Sequence, residues 1–433
     1  MTPPVIGVIG LFVLLGLIAL RVPVAIAMGL VGICGGVILN GWLSLGFILG
    51  SQPFVTSSSY SLSVIPLFVM MGAFASRAGL SAALYQALHN LIGHWRGGLA
   101  SATIGACAIF GSVCGSSLAT AATMARVAIP EMTEIGYDRR LTSGALAAGG
   151  TLGILIPPSI IMVIYALLTE QSIGRMFLAG MIPGILAAVL YMTANYIIVR
   201  LNPSRAPRIP RAGLGERLNA FRQMAPILGL FLVVMGGIYL GFFSPTEAAG
   251  VGAFGAIVLA ALRKELTWDV ARDALIETAG TTGMLFMILI GTSVLQFFIE
   301  TSTLPRVVVD WINLLGLPPI GVIVMILVIY VILGCFLDSL SMMLITLPIV
   351  FPMVTALGYD PIWFGVLVVS VVEIGLITPP LGMNLFVIAG SVDDLRFETV
   401  ARGVLPFLLA DFVRVALLVA VPALSLALPK LLM

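Results

Sequence analysis

Two apolar runs are interrupted in the same way, and this interruption constrains the chain more than any other feature. Gly149 to Tyr165 reads GGTLGILIPPSIIMVIY, and Glu373 to Gly390 reads EIGLITPPLGMNLFVIAG. Each is broken by a double proline with a glycine four residues ahead, Gly153 before Pro157 and Gly375 before Pro379. A proline has no N–H to give to the carbonyl four residues back. Pro157 and Pro158 therefore release the carbonyls of Gly153 and Ile154, and Pro379 and Pro380 those of Gly375 and Leu376. In hydrocarbon, such oxygens must line a protein-buried or watery cavity or meet a ligand, so paired breaks point to a binding site.

Composition supplies the hydrocarbon. The 433 residues are 60% hydrophobic and 9% charged, where soluble domains carry roughly 25% charged residues. Apolar runs recur along the whole chain and leave room for about ten to fourteen membrane segments of roughly 20 residues each. Val5 to Leu20 reads as the first span, because it has neither a basic leader nor a clear cleavage site. Val24 to Leu39 is the second, and Leu43 to Tyr60 is a Ser- and Gly-rich, less regular stretch. Leu80 to Trp95, with His89 and His94, has the mixed polarity of a helix lying in the interface. Gly97 to Met132 is broken at Gly111 to Ser117, GSVCGSS, as two half-helices with a polar tip, a re-entrant hairpin. Cys34, Cys107, Cys114 and Cys335 stand singly in apolar stretches and read as buried free thiols.

The chain then repeats itself. At a fixed offset of 222 residues PEMTEIGYD, from Pro130 to Asp138, meets PMVTALGYD, from Pro352 to Asp360. Pro23 meets Pro245, Ser117 meets Ser339, and Gly153, Pro157 and Pro158 meet Gly375, Pro379 and Pro380. This gives an all-α polytopic membrane protein of two structural repeats, residues 1–203 and 223–433, joined by a basic cytoplasmic loop at 204–222. The hairpins are expected near 98–136 and 318–357, and the broken helices near 142–168 and 362–390. With the N-terminus outside, the inner face receives Arg21, Arg77, Arg96, Arg139, Arg140, the arginines from Arg200 to Arg222, Arg263, Lys264, Arg272, Arg396 and Arg402. That is most of the 21 cations, a strong positive-inside bias. It puts both termini on the outer face and makes the repeats inverted, which suits alternating access to a midplane site.

The freed carbonyls and half-helix C-termini suit a bare cation, and the half-helix N-termini suit an anion. Ser116, Ser117, Ser159 and Thr378 bring hydroxyls to the same places. No cluster of carboxylates is available for calcium or magnesium, so a monovalent cation such as Na⁺ fits better. Asp338 and Glu373 are acids in apolar surroundings, which suits either a ligand, proton carrier or gate, or a structural acceptor at a hairpin tip or helix end. Glu247, in SPTEAAG, reads as a helix cap. Arg126 either snorkels or pairs within its hairpin, or binds a substrate carboxylate. No GxxxxGK[ST] phosphate loop is present, so ATP is not the energy source, and no His, Cys and acid cluster supports an enzyme. The dispersed charge gives nucleic acid no groove to bind.

At these residues the chain resembles the large membrane subunit of tripartite ATP-independent periplasmic (TRAP) transporters. The resemblance rests on IPLFVMMGAF at Ile65 to Phe74, WRGGLA at Trp95 to Ala100, CGSS at Cys114 to Ser117, IPEMTEIGYD at Ile129 to Asp138 and LGILIPPS at Leu152 to Ser159. SPTEAAG at Ser244 to Gly250, LGCFLDS at Leu333 to Ser339 and GLITPPLGMNLF at Gly375 to Phe386 complete it. It implies a Na⁺-coupled importer of an organic acid, of the C4-dicarboxylate, sialic acid or 2-oxo acid class, with an elevator-type ion-transporter fold. It also implies two separate partners, a periplasmic substrate-binding protein and a small four-span membrane subunit. Carried over by motif, one Na⁺ site uses Ser116, Ser117, Gly153, Leu155 and Pro158. The other uses Gly334, Asp338, Gly375, Thr378 and Leu381. The substrate is expected between them, at Ser159, Pro379, Asn384 and Arg126. The alternatives left open are a self-sufficient Na⁺/anion symporter and a passive anion channel.

Overall fold

A computed structural model describes residues 2–314, 316, 318–392 and 395–432. Every regular element among them is helical, the one spanning structure besides a closed barrel that satisfies its own backbone in lipid. The first half of the chain forms α1 (Pro3–Ala19), α2 (Val24–Ser58), α3 (Val64–Arg77), α4 (Leu80–Ile92), α5 (Gly98–Cys114), α6 (Ser117–Glu134), α7 (Arg139–Leu155), α8 (Ile160–Leu168) and α9 (Ile173–Leu201). The second forms α10 (Leu214–Tyr239), α11 (Pro245–Leu262), α12 (Trp268–Thr301), α13 (Leu304–Leu314), α14 (Pro319–Gly334), α15 (Ser339–Ala356), α16 (Pro361–Ile377), α17 (Met383–Ser391), α18 (Phe397–Ala420) and α19 (Ala423–Leu432). Among the described residues eight helices are long and apolar enough to cross a membrane, or nine if α7 and α8, bent by 40° at their break, make one span. The expected first span, α1, is among the shorter apolar helices.

Local signals set these boundaries twice over. Helices α6 and α15 begin and end at positions 222 residues apart, and so do α7 and α16. The caps recur with them. Asp138 accepts hydrogen bonds from the Arg140 and Leu141 N–H groups, both at 3.0 Å, and Asp360 accepts from Ile362 and Trp363 at 2.8 and 3.3 Å. Each carboxylate satisfies donors that the first turn of a helix leaves unpaired. Glu247 does the same at α11, where its carboxylate accepts from the Ser244 N–H at 2.7 Å and the Ser244 hydroxyl accepts from the Glu247 N–H at 3.3 Å. Pro157–Pro158 and Pro379–Pro380 are both cis.

Three expectations change. Leu43 to Tyr60 is not irregular: α2 kinks at Gly41, with φ at 76°, and stays helical to Ser58. Small polar side chains do not stop a helix whose backbone has no water to bond instead. The loop expected at 204–222 is shorter, because α10 starts at Leu214, where the Glu216 carboxylate accepts from the Gly213 N–H at 2.8 Å. Cys34 is exposed rather than buried, whereas the other three thiols are buried and all four are free.

Packing sorts the helices into two groups, each drawing on both halves of the chain. In one, α2 lies along α12, α3 along α11 and α12, and α4 along α10. In the other, α7 is the hub, touching α5, α6, α9, α16 and α18, while α14 and α15 lie on α16. The amphipathic α4 buries Leu84, Tyr85 and Leu88 and bridges the groups, with His89 Nδ1 2.6 Å from the Glu131 carboxylate on α6.

Candidate functional site

The α5–α6 hairpin turns at Gly115, whose φ of 66° is a left-handed conformation that glycine adopts without strain. Ser116 then caps α6, its hydroxyl accepting from the Ala119 N–H at 3.4 Å. The α14–α15 hairpin turns before Asp338, which caps α15 by accepting from the Leu340 and Ser341 N–H groups, both at 3.1 Å, and from the Ser341 hydroxyl. Both tips open on one cavity of about 1090 Å³, lined on their side by Ser116, Ser117, Asp338 and Ser339 and on the opposite side by α2, α3 and α12. The N-terminal turns of α6, α8 and α15 border the same space, each bringing the positive end of a helix dipole to it.

Each tip is locked to a broken helix through glycines. A methyl group on Gly153 would stand 2.9 Å from Thr120 Oγ1 and 3.2 Å from the Ser116 carbonyl oxygen. One on Gly375 would stand 2.5 Å from the Gly334 Cα. The backbones thus touch, which brings main-chain oxygens of tip and break together in both halves.

Among the groups expected at the first cation site, Ser116 and Ser117 line the cavity. The Pro158 carbonyl lies beside Gly115, and the Leu155 carbonyl faces α9 beside Gly180. At the second, Gly334 and Gly375 are in contact, Asp338 lines the cavity and Leu381 is exposed. The Thr378 hydroxyl donates to the Ile374 carbonyl at 2.6 Å. The Gly375 carbonyl is not wholly released by Pro379, since the Thr378 N–H reaches it at 3.2 Å in a tighter turn. A carbonyl oxygen has two lone pairs, so one acceptor position remains.

The expected substrate residues spread over three environments. Ser159 is fully buried and caps α8 by accepting from the Met162 N–H at 3.4 Å. Pro379 is half-buried at the second break. Asn384 is fully buried, and its Nδ2 donates to Ser117 Oγ at 2.7 Å, tying the second broken helix to the first hairpin tip. Arg126 lines the cavity from α6 and is exposed, its Nε donating to the Ala122 carbonyl at 3.4 Å. Among the described residues it has no carboxylate within 4 Å.

Glu373 lies outside the cavity. It is fully buried 2.7 Å from Arg414 Nη2, which also stands 2.9 Å from Asp411, and Tyr191 donates to Asp411 at 2.7 Å. This cluster joins α9, α16 and α18 and gives Glu373 an ion-pair partner away from the cavity. Sequence reasoning missed Asp411 as Arg414's partner, although their spacing of three on an apolar helix was the available signal. It also missed the cavity wall formed by Arg77 on α3, 3.5 Å from Asp273 and 2.8 Å from Glu277 on α12.

Residues 11–424 match the family described as the tripartite ATP-independent periplasmic transporter, DctM component. The chain belongs to this family. It is 38% identical to the C4-dicarboxylate TRAP transporter large permease protein DctM of Pseudomonas aeruginosa, over 88% of this chain and 89% of that one. It is 31% identical to the sialic acid TRAP transporter large permease protein SiaM of Vibrio cholerae, over 96% and 97% of the two chains. The fold is similar to that of the Alcanivorax borkumensis YdaH transporter, with a TM-score of 0.64, 16% identity and 89% of each chain covered. These relatives are transporter permeases rather than enzymes, and this DctM-family chain is a multi-pass membrane protein like them.

Proposed function

We propose that this chain is the large permease subunit of a Na⁺-coupled importer of a small organic acid in a bacterial inner membrane, with both termini periplasmic. The observation that carries the reading is the convergence of both hairpin tips, with Arg126, on one cavity. Serine hydroxyls, the Asp338 carboxylate and main-chain oxygens at the breaks suit Na⁺, and Arg126, which has no carboxylate partner among the described residues, supplies a guanidinium for an acid group. Relatives named for C4-dicarboxylate and sialic acid transport support the organic-acid class. The recurring helix boundaries and the arginine distribution support inverted repeats. In an elevator movement, the group carrying both hairpins would slide against the group built on α2, α3 and α12, carrying cation and substrate together. A periplasmic binding protein delivers the acid and a small four-span subunit braces the stationary group.

The test is uptake of labelled C4-dicarboxylates, 2-oxo acids and sialic acid into liposomes holding this chain. The small subunit and binding protein are each present or absent, and an inward Na⁺ gradient is compared with K⁺. Uptake of one acid that needs all three proteins and Na⁺ is expected. Uptake by this chain alone would replace the tripartite reading with a self-sufficient symporter, and equilibration without accumulation would replace it with a channel.

A further inference from the structure

A second cavity, of about 540 Å³, shares no lining residue with the one at the hairpin tips. Its wall is Arg140 on α7, Arg396 just before α18, and Glu398, Thr399 and Arg402 on α18. Close helix packing creates it. A methyl on Gly403 would stand 2.1 Å from the Arg140 carbonyl oxygen, and one on Gly144 would stand 2.2 Å from the Gly403 carbonyl oxygen. With the two backbones in contact, Arg140 and Arg402 are held at the same end of the bundle.

The described lining carries three guanidinium groups against one carboxylate, Glu398. Among the described residues none of the three guanidinium groups has a carboxylate within 4 Å, Glu398 included. Like charges held together repel, and an anion that enters relieves the repulsion. Guanidinium forks match the oxygens of a phosphate group in particular.

What lies below the cavity narrows the ligand. The exposed face of α18 runs from Arg402 through Leu405, Leu409 and Phe412, which are 51%, 67% and 49% exposed. The spacing of three, four and three keeps them in one stripe along the helix. An arginine-lined cavity thus opens at the head of an apolar strip, on the side where arginine placement puts the cytoplasm. That is where anionic headgroups meet basic pockets between membrane helices.

We propose that this is a binding site for an anionic phospholipid, with its phosphate among Arg140, Arg396 and Arg402 and an acyl chain along Leu405, Leu409 and Phe412. The site does not depend on which acid is transported. Its occupancy would fasten α7, the hub of the hairpin-bearing group, to α18 at the membrane surface.

The test uses the full chain, purified and delipidated in detergent, with its melting temperature followed as phosphatidylglycerol, phosphatidylcholine or inorganic phosphate is added. Phosphatidylglycerol is expected to raise the melting temperature by several degrees. Phosphatidylcholine and inorganic phosphate should leave it nearly unchanged, and Arg140→Gln/Arg396→Gln/Arg402→Gln should lose most of the gain. Should the triple variant be too unstable to purify, the single Arg402→Gln variant is expected to lower phosphatidylglycerol affinity, read by native mass spectrometry, about fivefold. A full phosphatidylglycerol effect in these variants would overturn the site. An equal effect of inorganic phosphate would overturn the lipid as its occupant.

Discussion

Arg126 has its Nε on a carbonyl of its own helix and its charge toward the cavity, whereas Arg77, across the same space, is held by Asp273 and Glu277. If Arg126 receives the acid group, Arg126→Gln removes a charge-assisted hydrogen bond of about 1.5–3 kcal/mol. The expected outcome is a KM for the acid raised between about 10- and 150-fold, with Arg126→Lys intermediate. An unchanged KM would return Arg126 to the role of a snorkelling cation. Arg414 makes the opposite case, since it is fully buried between two carboxylates. Arg414→Met leaves both without their cation and should destabilise the chain by about 3–5 kcal/mol, measured as a lowered melting temperature in detergent. Glu373→Gln keeps a hydrogen-bonding side chain in place and should cost clearly less. In the sequence an intramembrane acid announces itself, but whether it faces a cavity or a guanidinium depends on which helix lies opposite. Glu373 faces a guanidinium because α18 lies beside α16.

Hairpins and breaks depend on close backbone approach rather than on side-chain chemistry. Gly375 meets the Gly334 Cα, and Gly153 meets the Ser116 carbonyl and Thr120. Alanine at Gly375 puts a methyl 2.5 Å from backbone that cannot rotate away, so Gly375→Ala should displace the tip and raise the Na⁺ concentration for half-maximal uptake severalfold. Gly280→Ala, where a methyl would meet nothing within 4 Å, should leave it unchanged and serves as the control. These elements were legible because prolines, glycines and capping acids mark their ends in the chain itself. The helical course of Trp42 to Ser58 was not, because serine and glycine stop a helix only where water competes for the backbone. Nor was the early start of α10, because Glu216, Arg217 and Asn219 carry a helix into water as readily as they form a loop. The Asn384–Ser117 hydrogen bond was likewise beyond reach, since it joins residues 267 positions apart.

At the scale of the whole molecule, the two helix groups meet across the cavity, and Ser76 on α3 lies with its hydroxyl 3.3 Å from that of Thr123 on α6. An elevator must separate this pair in every cycle. In a background lacking the four native cysteines, Ser76→Cys/Thr123→Cys should stop uptake on oxidation and recover on reduction; uptake that persists in the cross-linked protein would mean the groups do not slide there. The proposed coupling has cation and acid share the site formed by the hairpin tips. Its most direct test is simultaneous uptake of radiolabelled Na⁺ and labelled acid by the complete transporter in liposomes, with Ser117→Ala and Thr378→Ala beside the native chain. Na⁺ entry in fixed ratio to the acid is expected, and in both variants a weaker dependence of uptake on Na⁺. Acid uptake without Na⁺ entry, or Na⁺ activation unchanged in both variants, would contradict it.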